Sequence, residues 1–431
     1  MNAAIFALAS AAGRAGVAVV RLSGPDAGII AGQLAGSLPR PRATSLRRLI
    51  HEGREIDHAL LLWFPAPHSF TGEDVAEFHI HGGRAVREAL FSALSALGAR
   101  PAEPGEFSRR AVENGKLDLT RAEAIADLVD AETPAQLALA LRQHDGALAD
   151  LYEGWRSRLI AALGRAEAAI DFSDDGVGEA EFAAARAAAA EIIEEIQEHM
   201  NDAGRGESLR EGLRLTILGP PNAGKSSLIN ALARRDVAIV SDIPGTTRDV
   251  VEARLDLGGY LLQVADTAGV RDTADVIEAE GVRRALSHAA GGMTLLLLDG
   301  SAAEPRAGLP ADLPEPDLTV WNKSDLGQHD GISISLKTGD GVSELVTLLQ
   351  QKVQQKLESK DGAPLLTRPR HRHALNEALG HLRHGLAAAD DRPELLAEDL
   401  RLAMRAVGRI TGRVDVEELL DFVFRDFCIG K

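Results

Sequence analysis

The chain has 431 residues, 45% of them apolar, 26% charged and only 4% aromatic, with a formal net charge of −17 and a single cysteine. At about 100–200 residues per domain that makes roughly two to four domains, and the apolar content excludes a mostly disordered chain. No run approaches the roughly 20 apolar residues of a membrane span, the strongest short one being Met293 to Leu298, and Cys428 alone leaves no intrachain disulfide. These features predict a cytosolic protein without a membrane partner. The acidic total argues against a general nucleic-acid binder, yet the charge is uneven: residues 1–116 carry +2, 117–211 −13, 212–364 −6 and 365–431 zero.

The first residues, Asn2 to Ala12, are apolar with no Lys or Arg ahead of them, which favours a buried strand over a secretory leader. Short β-like runs follow at Val17 to Leu22, Ala59 to Phe64 and Val75 to Ile80, with an amphipathic helix near Arg84 to Leu97. Residues 1–116 therefore read as an α+β domain. His79 and His81 would share one face of a strand, but no further ligand has metal-site spacing, so structural histidines are the favoured reading. From Thr120 to about Arg210 the composition turns to Ala, Glu, Leu and Arg with apolar residues at intervals of three and four, the pattern of long helices.

At Leu213 the pattern changes to strand, glycine loop and helix, and alternation continues to the polar helix Val342 to Ser359 and the breaker Asp361-Gly362-Ala363-Pro364. Residues 212–364 are predicted to form an α/β domain. Residues 365–431 are helical again and too short to be stable alone, so they are expected to pack on helices 117–211. The fold class expected is multidomain: an α+β N-terminal domain, an all-α domain in two pieces, and an inserted α/β P-loop domain.

Gly219-Pro-Pro-Asn-Ala-Gly-Lys-Ser226 fits the phosphate-loop pattern between a strand and a helix. Asn222, Ala223, Gly224, Lys225, Ser226 and Ser227 would face the phosphates: backbone amides converge, Lys225 neutralises the β and γ oxygens, and Ser226 offers a hydroxyl to Mg²⁺. Asp266, Thr267, Ala268 and Gly269 follow a strand 41 residues beyond Lys225, where Asp266 could reach the Mg²⁺ shell and the Gly269 amide could sense the γ-phosphate. Asn322, Lys323 and Asp325 follow another strand. A carboxylate there pairs with guanine N1 and N2, which adenine cannot match, and Ser335, Leu336 and Lys337 would cover the base oxygen. Three such elements in order predict a GTP-binding chain similar to the translation-factor-like P-loop GTPases.

Val270 stands where small GTPases often place a water-orienting Gln, and it cannot do that work. Asn222 and the segment Ser241, Asp242, Ile243, Pro244, Gly245, Thr246 and Thr247 would instead offer neutral oxygens to a monovalent cation, with Thr247 a second Mg²⁺ hydroxyl. Glu278 could position water through a second water, or could simply cap a helix N-terminus. Glu278, Asn222 and Lys225 are the candidate catalytic residues. Cys428 is either a nucleophile or a small buried residue, the second being favoured. Arg401, Arg405, Arg409 and Arg413 form an i, i+4 stripe that could meet phosphates, although a solvated helix face is the commoner meaning.

Further motifs lie outside the α/β block: Gly13-Arg14-Ala-Gly16 running to Arg21-Leu-Ser-Gly24, Ser69-Phe-Thr-Gly72 running to Glu77-Phe-His79-Ile-His81-Gly-Gly83, Pro104-Gly-Glu-Phe-Ser-Arg-Arg110, Asn114-Gly-Lys116 and Phe427-Cys428-Ile-Gly-Lys431. With the GTPase elements they closely resemble the MnmE (TrmE) family of GTPases that modify the wobble uridine of certain tRNAs. The resemblance spans essentially the whole chain and departs only around Ala15, Ala18 and Pro220-Pro221, away from the contacts. It implies a homodimer that works with an MnmG (GidA)-type flavoprotein carrying FAD and using NADH, in a heterotetramer acting on tRNA. It further implies 5-formyltetrahydrofolate or a related folate as one-carbon source, held by Arg21, Glu77, Lys116 and Lys431. K⁺ would sit on Asn222, Ser241, Ile243 and Thr246, Mg²⁺ on Ser226 and Thr247, and Glu278 would be the catalytic glutamate. A GTP-dependent RNA or ribosome assembly switch is the competing class.

Overall fold

The computed structural model describes residues 3–172, 177–235, 237–239, 251–266, 292–310, 313–327, 329–358, 364–388, 392–414, 417–425, 427 and 430. Among the described residues no helix is long and apolar enough to cross a membrane. Two compact units divide the chain, Met1–Ala126 with Val407–Lys431 and Asp127–Ala406.

Unit one is built on six strands, β1 (Ile5–Leu8), β2 (Ala15–Ser23), β3 (Ser45–His51), β4 (Arg54–Phe64), β5 (Val75–Gly82) and β6 (Arg100–Pro101), in the order β3-β4-β5-β2-β1-β6. Strand alternation sorts their side chains. Ala18, Val20 and Leu22 of β2 and Ala76, Phe78 and Ile80 of β5 are buried, and helices α1 (Ala27–Ala35) and α2 (Arg84–Ala96) close this core with Ile30, Ala31, Leu34, Leu90 and Leu94. Arg21, Glu77 and His79 fall on the opposite face, with Arg21 in register with Glu77. There α3 (Glu106–Glu113) brings Phe107 against Ile5 and Ala7.

The second unit begins within α4 (Leu119–Asp130) and continues through α5 (Pro134–His144), α6 (Ala147–Asp171), α7 (Val177–Met200) and α8 (Arg205–Glu211). Thr133 and Gln136 form a capping box that starts α5, with Pro134 in its first turn. In α6 and α7 the buried stripes Leu159, Ala162, Ala166 and Ala185, Ala189, Ile192 are mostly alanine, which lets two packed helices approach closely. The α/β part follows as β7 (Leu213–Leu218), α9 (Lys225–Ala233), β8 (Val251–Leu257), β9 (Tyr260–Asp266), β10 (Met293–Asp299), β11 (Leu318–Asn322), β12 (Ile332–Ser333) and α10 (Val342–Leu357).

Its strand order is β12-β11-β10-β7-β9-β8, parallel throughout except for the antiparallel β8. Leu139 of α5, Leu209 of α8 and Leu365 join Ile217, Leu228, Val264 and Leu349 in one core, so helical and α/β parts share a continuous interior. The remaining helices are α11 (Pro369–Ala388), α12 (Pro393–Thr411) and α13 (Glu417–Phe424). Helix α11 packs on α7, as the sequence predicts for the last segment. Residues from Val407 onward fall in unit one, where Leu420, Val423, Phe424 and Phe427 cluster with Leu119 and Ala122 at the start of α4, also within the predicted helices 117–211. The last helix also meets α3, which the sequence did not predict.

Candidate functional site

Parallel strands β7, β9, β10 and β11 end at one edge of the sheet, the edge at which open α/β folds take ligands. Beyond β7, the chain turns through Gly219 to Gly224, which caps α9 in a left-handed conformation with φ +103°. A Cβ on Gly224 would lie 2.5 Å from Asn322 Nδ2, so glycine is required there on both counts. Asn222 also takes positive φ, +61°, a conformation Asn tolerates. The Lys225 ammonium donates to the carbonyls of Gly219 (2.8 Å) and Pro220 (3.0 Å), which holds its charge inside the curve of the loop. Ser226 and Ser227 are exposed at the N-terminus of α9, where amides and helix dipole favour an anion.

Asn322, buried at the end of β11, joins this loop to the next one. Its Nδ2 donates to the Ala223 carbonyl (2.8 Å), and its Oδ1 accepts from the Leu336 amide (3.2 Å). Asp325 accepts from the Ser335 hydroxyl at 2.8 Å, with Lys337 4.0 Å from its other oxygen. Lys323, at φ +63°, donates to Asp299 Oδ2 at 2.5 Å. Burial pushes the Asp299 carboxyl up, but hydrogen bonds from Lys323 and Ser301 outweigh it and leave the group ionised below the usual carboxylate range. The phosphate loop, the Asn322 turn and the Ser335 loop are thus brought together. Asp266 ends β9 in register with Ile217 of β7.

Several predicted positions lie outside the described residues: Ser241, Asp242, Ile243, Pro244, Gly245, Thr246, Thr247, Thr267, Ala268, Gly269, Glu278, Cys428 and Lys431. Sequence reading missed Asp299, the partner of Lys323, and the packing of His329 on Trp321. The Asp299-Gly300 pair closing an apolar strand was the available signal for the first.

A second polar group occupies unit one. Arg21 Nε and Nη2 bind Glu77 Oε1 at 3.0 and 2.9 Å, and the guanidinium lies 5.3 Å from the Phe70 ring and 5.6 Å from the Phe107 ring. His79 Nε2 is buried, 3.8 Å from Glu77 Oε2, with no hydrogen-bond partner among the described residues. The Lys116 side chain passes over Gly72, where a Cβ would come within 3.2 Å of it. The Glu77 carboxylate, the Phe70 ring, a ring nitrogen in need of a partner and the Arg21 guanidinium could receive a flat heterocycle that carries carboxylates.

No group of three metal-binding side chains occurs among the described residues. His81 bonds Asp57 at 2.8 Å, which fits the structural reading of that histidine. Arg401 pairs with Glu398 and with Glu167, and Arg405, Arg409 and Arg413 also have partners, so the arginine stripe is internally engaged.

Two family models cover this chain: "MnmE helical domain" matches residues 119–428 and "GTP-binding protein TrmE N-terminus" matches residues 4–116. The tRNA modification GTPase MnmE of Rhodospirillum rubrum is 53% identical, with 99% of each chain covered. Proteins of that description from Paramagnetospirillum magneticum and Maricaulis maris are 52% and 51% identical over the full length of both chains.

Proposed function

The chain belongs to the MnmE family of tRNA modification GTPases, and from that premise we propose how its own residues divide the work. The observation that carries the reading is the buried Asn322 bridge, which ties the phosphate loop to the loop that would cover a guanine. Lys225 neutralises the β and γ oxygens, and the amides from Asn222 to Ser227 receive the phosphates. Asp325 pairs with guanine N1 and N2, while Ser335, Leu336 and Lys337 cover its oxygen. Ser226 and Thr247 would hold Mg²⁺, which would supply positive charge to the phosphates. Asn222, Ser241, Ile243 and Thr246 would hold K⁺, adding positive charge where other GTPases use an arginine. Asp266 and Gly269 would sense the γ-phosphate, and Glu278 orients the attacking water.

Arg21, Glu77, Lys116 and Lys431 would bind a reduced folate, which supplies the one-carbon unit when bound. Glu77 meets the amino and N–H edge of the pterin, and the cations meet glutamyl carboxylates. The face that bears Arg21 and Glu77 belongs to the domain through which two copies would pair. An MnmG-type flavoprotein with FAD and NADH, cytoplasmic like this chain, would complete the modification of C5 of the wobble uridine. Since −13 of the charge falls within residues 117–211, tRNA avoids those helices and relies on the partner.

GTP turnover compared in K⁺ and Na⁺, with reduced folate titrated by calorimetry, tests the proposal. It predicts faster turnover in K⁺, a preference lost in Asn222→Ala, and folate binding lost in Glu77→Ala. Equal rates in both salts remove the cation assignment. Failure to bind folate, with wobble uridine still modified in cells, removes the folate assignment.

A further inference from the structure

The turn that carries Asn322 to Asp325 is closed from below by groups that belong neither to the phosphate loop nor to the base-facing side chains. Trp321 precedes the turn, and its ring is stacked on His329 with centroids 4.1 Å apart and planes 7° from parallel. His329 Nε2 lies 2.6 Å from the Gly300 carbonyl, and since a carbonyl only accepts, that nitrogen carries the hydrogen. The Gly300 amide in turn donates to the Asn322 carbonyl at 2.9 Å. From Trp321 the ring of contacts runs through the Asn322 backbone to Gly300, to His329 and back to Trp321 by stacking.

Only small residues let this ring close. A Cβ on Gly300 would meet both the Asn322 carbonyl oxygen and His329 Cδ2 at 2.9 Å, and one on Gly327 would meet the Gly300 carbonyl oxygen at 2.9 Å. Within the ring sits Lys323, whose positive φ an L-residue adopts only when its surroundings enforce it. Other restraints fix the two sides of the turn: Lys323 to Asp299, and the Ser324 amide to the Ile334 carbonyl at 3.0 Å. Among the described residues, His329 is the side chain that ties the exit of the turn to both its entry and the end of β10.

We propose that His329, stacked on Trp321 and bonded to Gly300, is a positioning residue for guanine recognition: it sets the affinity for guanine nucleotides without touching base, phosphate or attacking water. The inference rests on the reading of Asp325 as the guanine carboxylate. GDP and GTP present the same base, so the two affinities should depend on His329 equally, and the hydrolytic step should not depend on it.

The experiment uses the full-length chain and measures GDP and GTP dissociation constants and steady-state turnover. In His329→Ala both affinities should weaken together by on the order of tenfold, as expected when one hydrogen bond and one stack that hold a loop are removed, while kcat at saturating GTP stays within twofold. His329→Gln, which keeps a donor, and His329→Phe, which keeps the stack, should each recover part of the loss. Gly300→Ala, which forces the ring open from its other side, should weaken both nucleotides as well and should add little when combined with His329→Ala. Unchanged affinity in His329→Ala, a fall in kcat at unchanged affinity, or full additivity of the two substitutions would overturn the proposal. A separate arm tests the premise. Asp325→Asn should exchange guanine for xanthine preference, and His329→Ala on that background should weaken xanthosine diphosphate by the same factor. If Asp325→Asn leaves guanine preference intact, the guanine reading fails, whatever His329 does in the parent.

Discussion

Asn322→Ala removes the buried bridge between the two loops on which the functional reading rests. Two hydrogen bonds disappear, the 2.8 Å bond to the Ala223 carbonyl and the longer 3.2 Å bond from the Leu336 amide. Asn322 is only 4% exposed, so water does not easily replace either partner. A typical bond contributes about 1 kcal/mol net and a stranded buried group costs about 1–3 kcal/mol, which puts the total near 2–4 kcal/mol. Part of this appears as a lower melting temperature of the nucleotide-free chain. The rest appears in affinity, because phosphates and base need both loops at once; we expect GDP and GTP to weaken by about 10–100-fold, with kcat at saturation little changed. Asn322→Asp sharpens the test, since it keeps the acceptor for Leu336 but sets a carboxylate oxygen against the Ala223 carbonyl, and it should be at least as damaging as alanine. Thermal melts and equilibrium GDP binding provide the assay. GDP affinity within threefold of the parent together with an unchanged melt, or an aspartate variant better tolerated than alanine, would refute the reasoning.

Burial lowers the His199 pKa from 6.5 to about 4, and the Tyr152 hydroxyl 3.2 Å away can donate to its neutral ring. Over that interval the unfolded chain binds a proton that the native chain does not, so stability falls as pH drops from about 6.5 towards 4, by roughly 3 kcal/mol if this group acts alone; urea titrations of parent and His199→Phe should show the smaller pH slope in the variant. Gly206→Ala should destabilise by more than about 2 kcal/mol in denaturant melts, because its Cβ would fall 2.1 Å from the Leu366 carbonyl oxygen and must push backbone aside. Arg254 of β8 binds Glu132 ahead of α5 at 2.8 Å with both side chains partly exposed, and a double-mutant cycle on stability with Arg254→Met and Glu132→Gln should give a coupling of about 0.5–1.5 kcal/mol.

The α/β block was the most legible part of the sequence. Leu213 to Leu218, the glycine loop and α9 each carry local signals that agree with the fold, and the ends of β9, β10 and β11 are marked by Asp266, Asp299 and Asn322. Unit one was harder to read. Helix α1 contains Gly28 and Gly32, which lower helix propensity, and it forms because Ile30, Ala31 and Leu34 are buried against the sheet, with Trp63 filling the space beside Gly28. Strand β3 carries Arg47 and Arg48 and lies at the sheet edge, where charges are common and alternation is weak. The fate of the C-terminal segment turned on tertiary pairing: α11 packs on α7, whereas α13 packs beside Leu119. At the site, residue types alone marked Lys225, Asn322 and Asp325. The Trp321–His329 stack was invisible, because one aromatic and one histidine eight positions apart carry no spacing rule.

Mass spectrometry of tRNA nucleosides from cells that lack this gene, complemented with the parent chain or with Lys225→Ala, tests most directly the claim that the phosphate loop drives tRNA modification. The account predicts that the parent restores the modified wobble uridine and that Lys225→Ala, produced at equal level, does not. Full restoration by Lys225→Ala would contradict it.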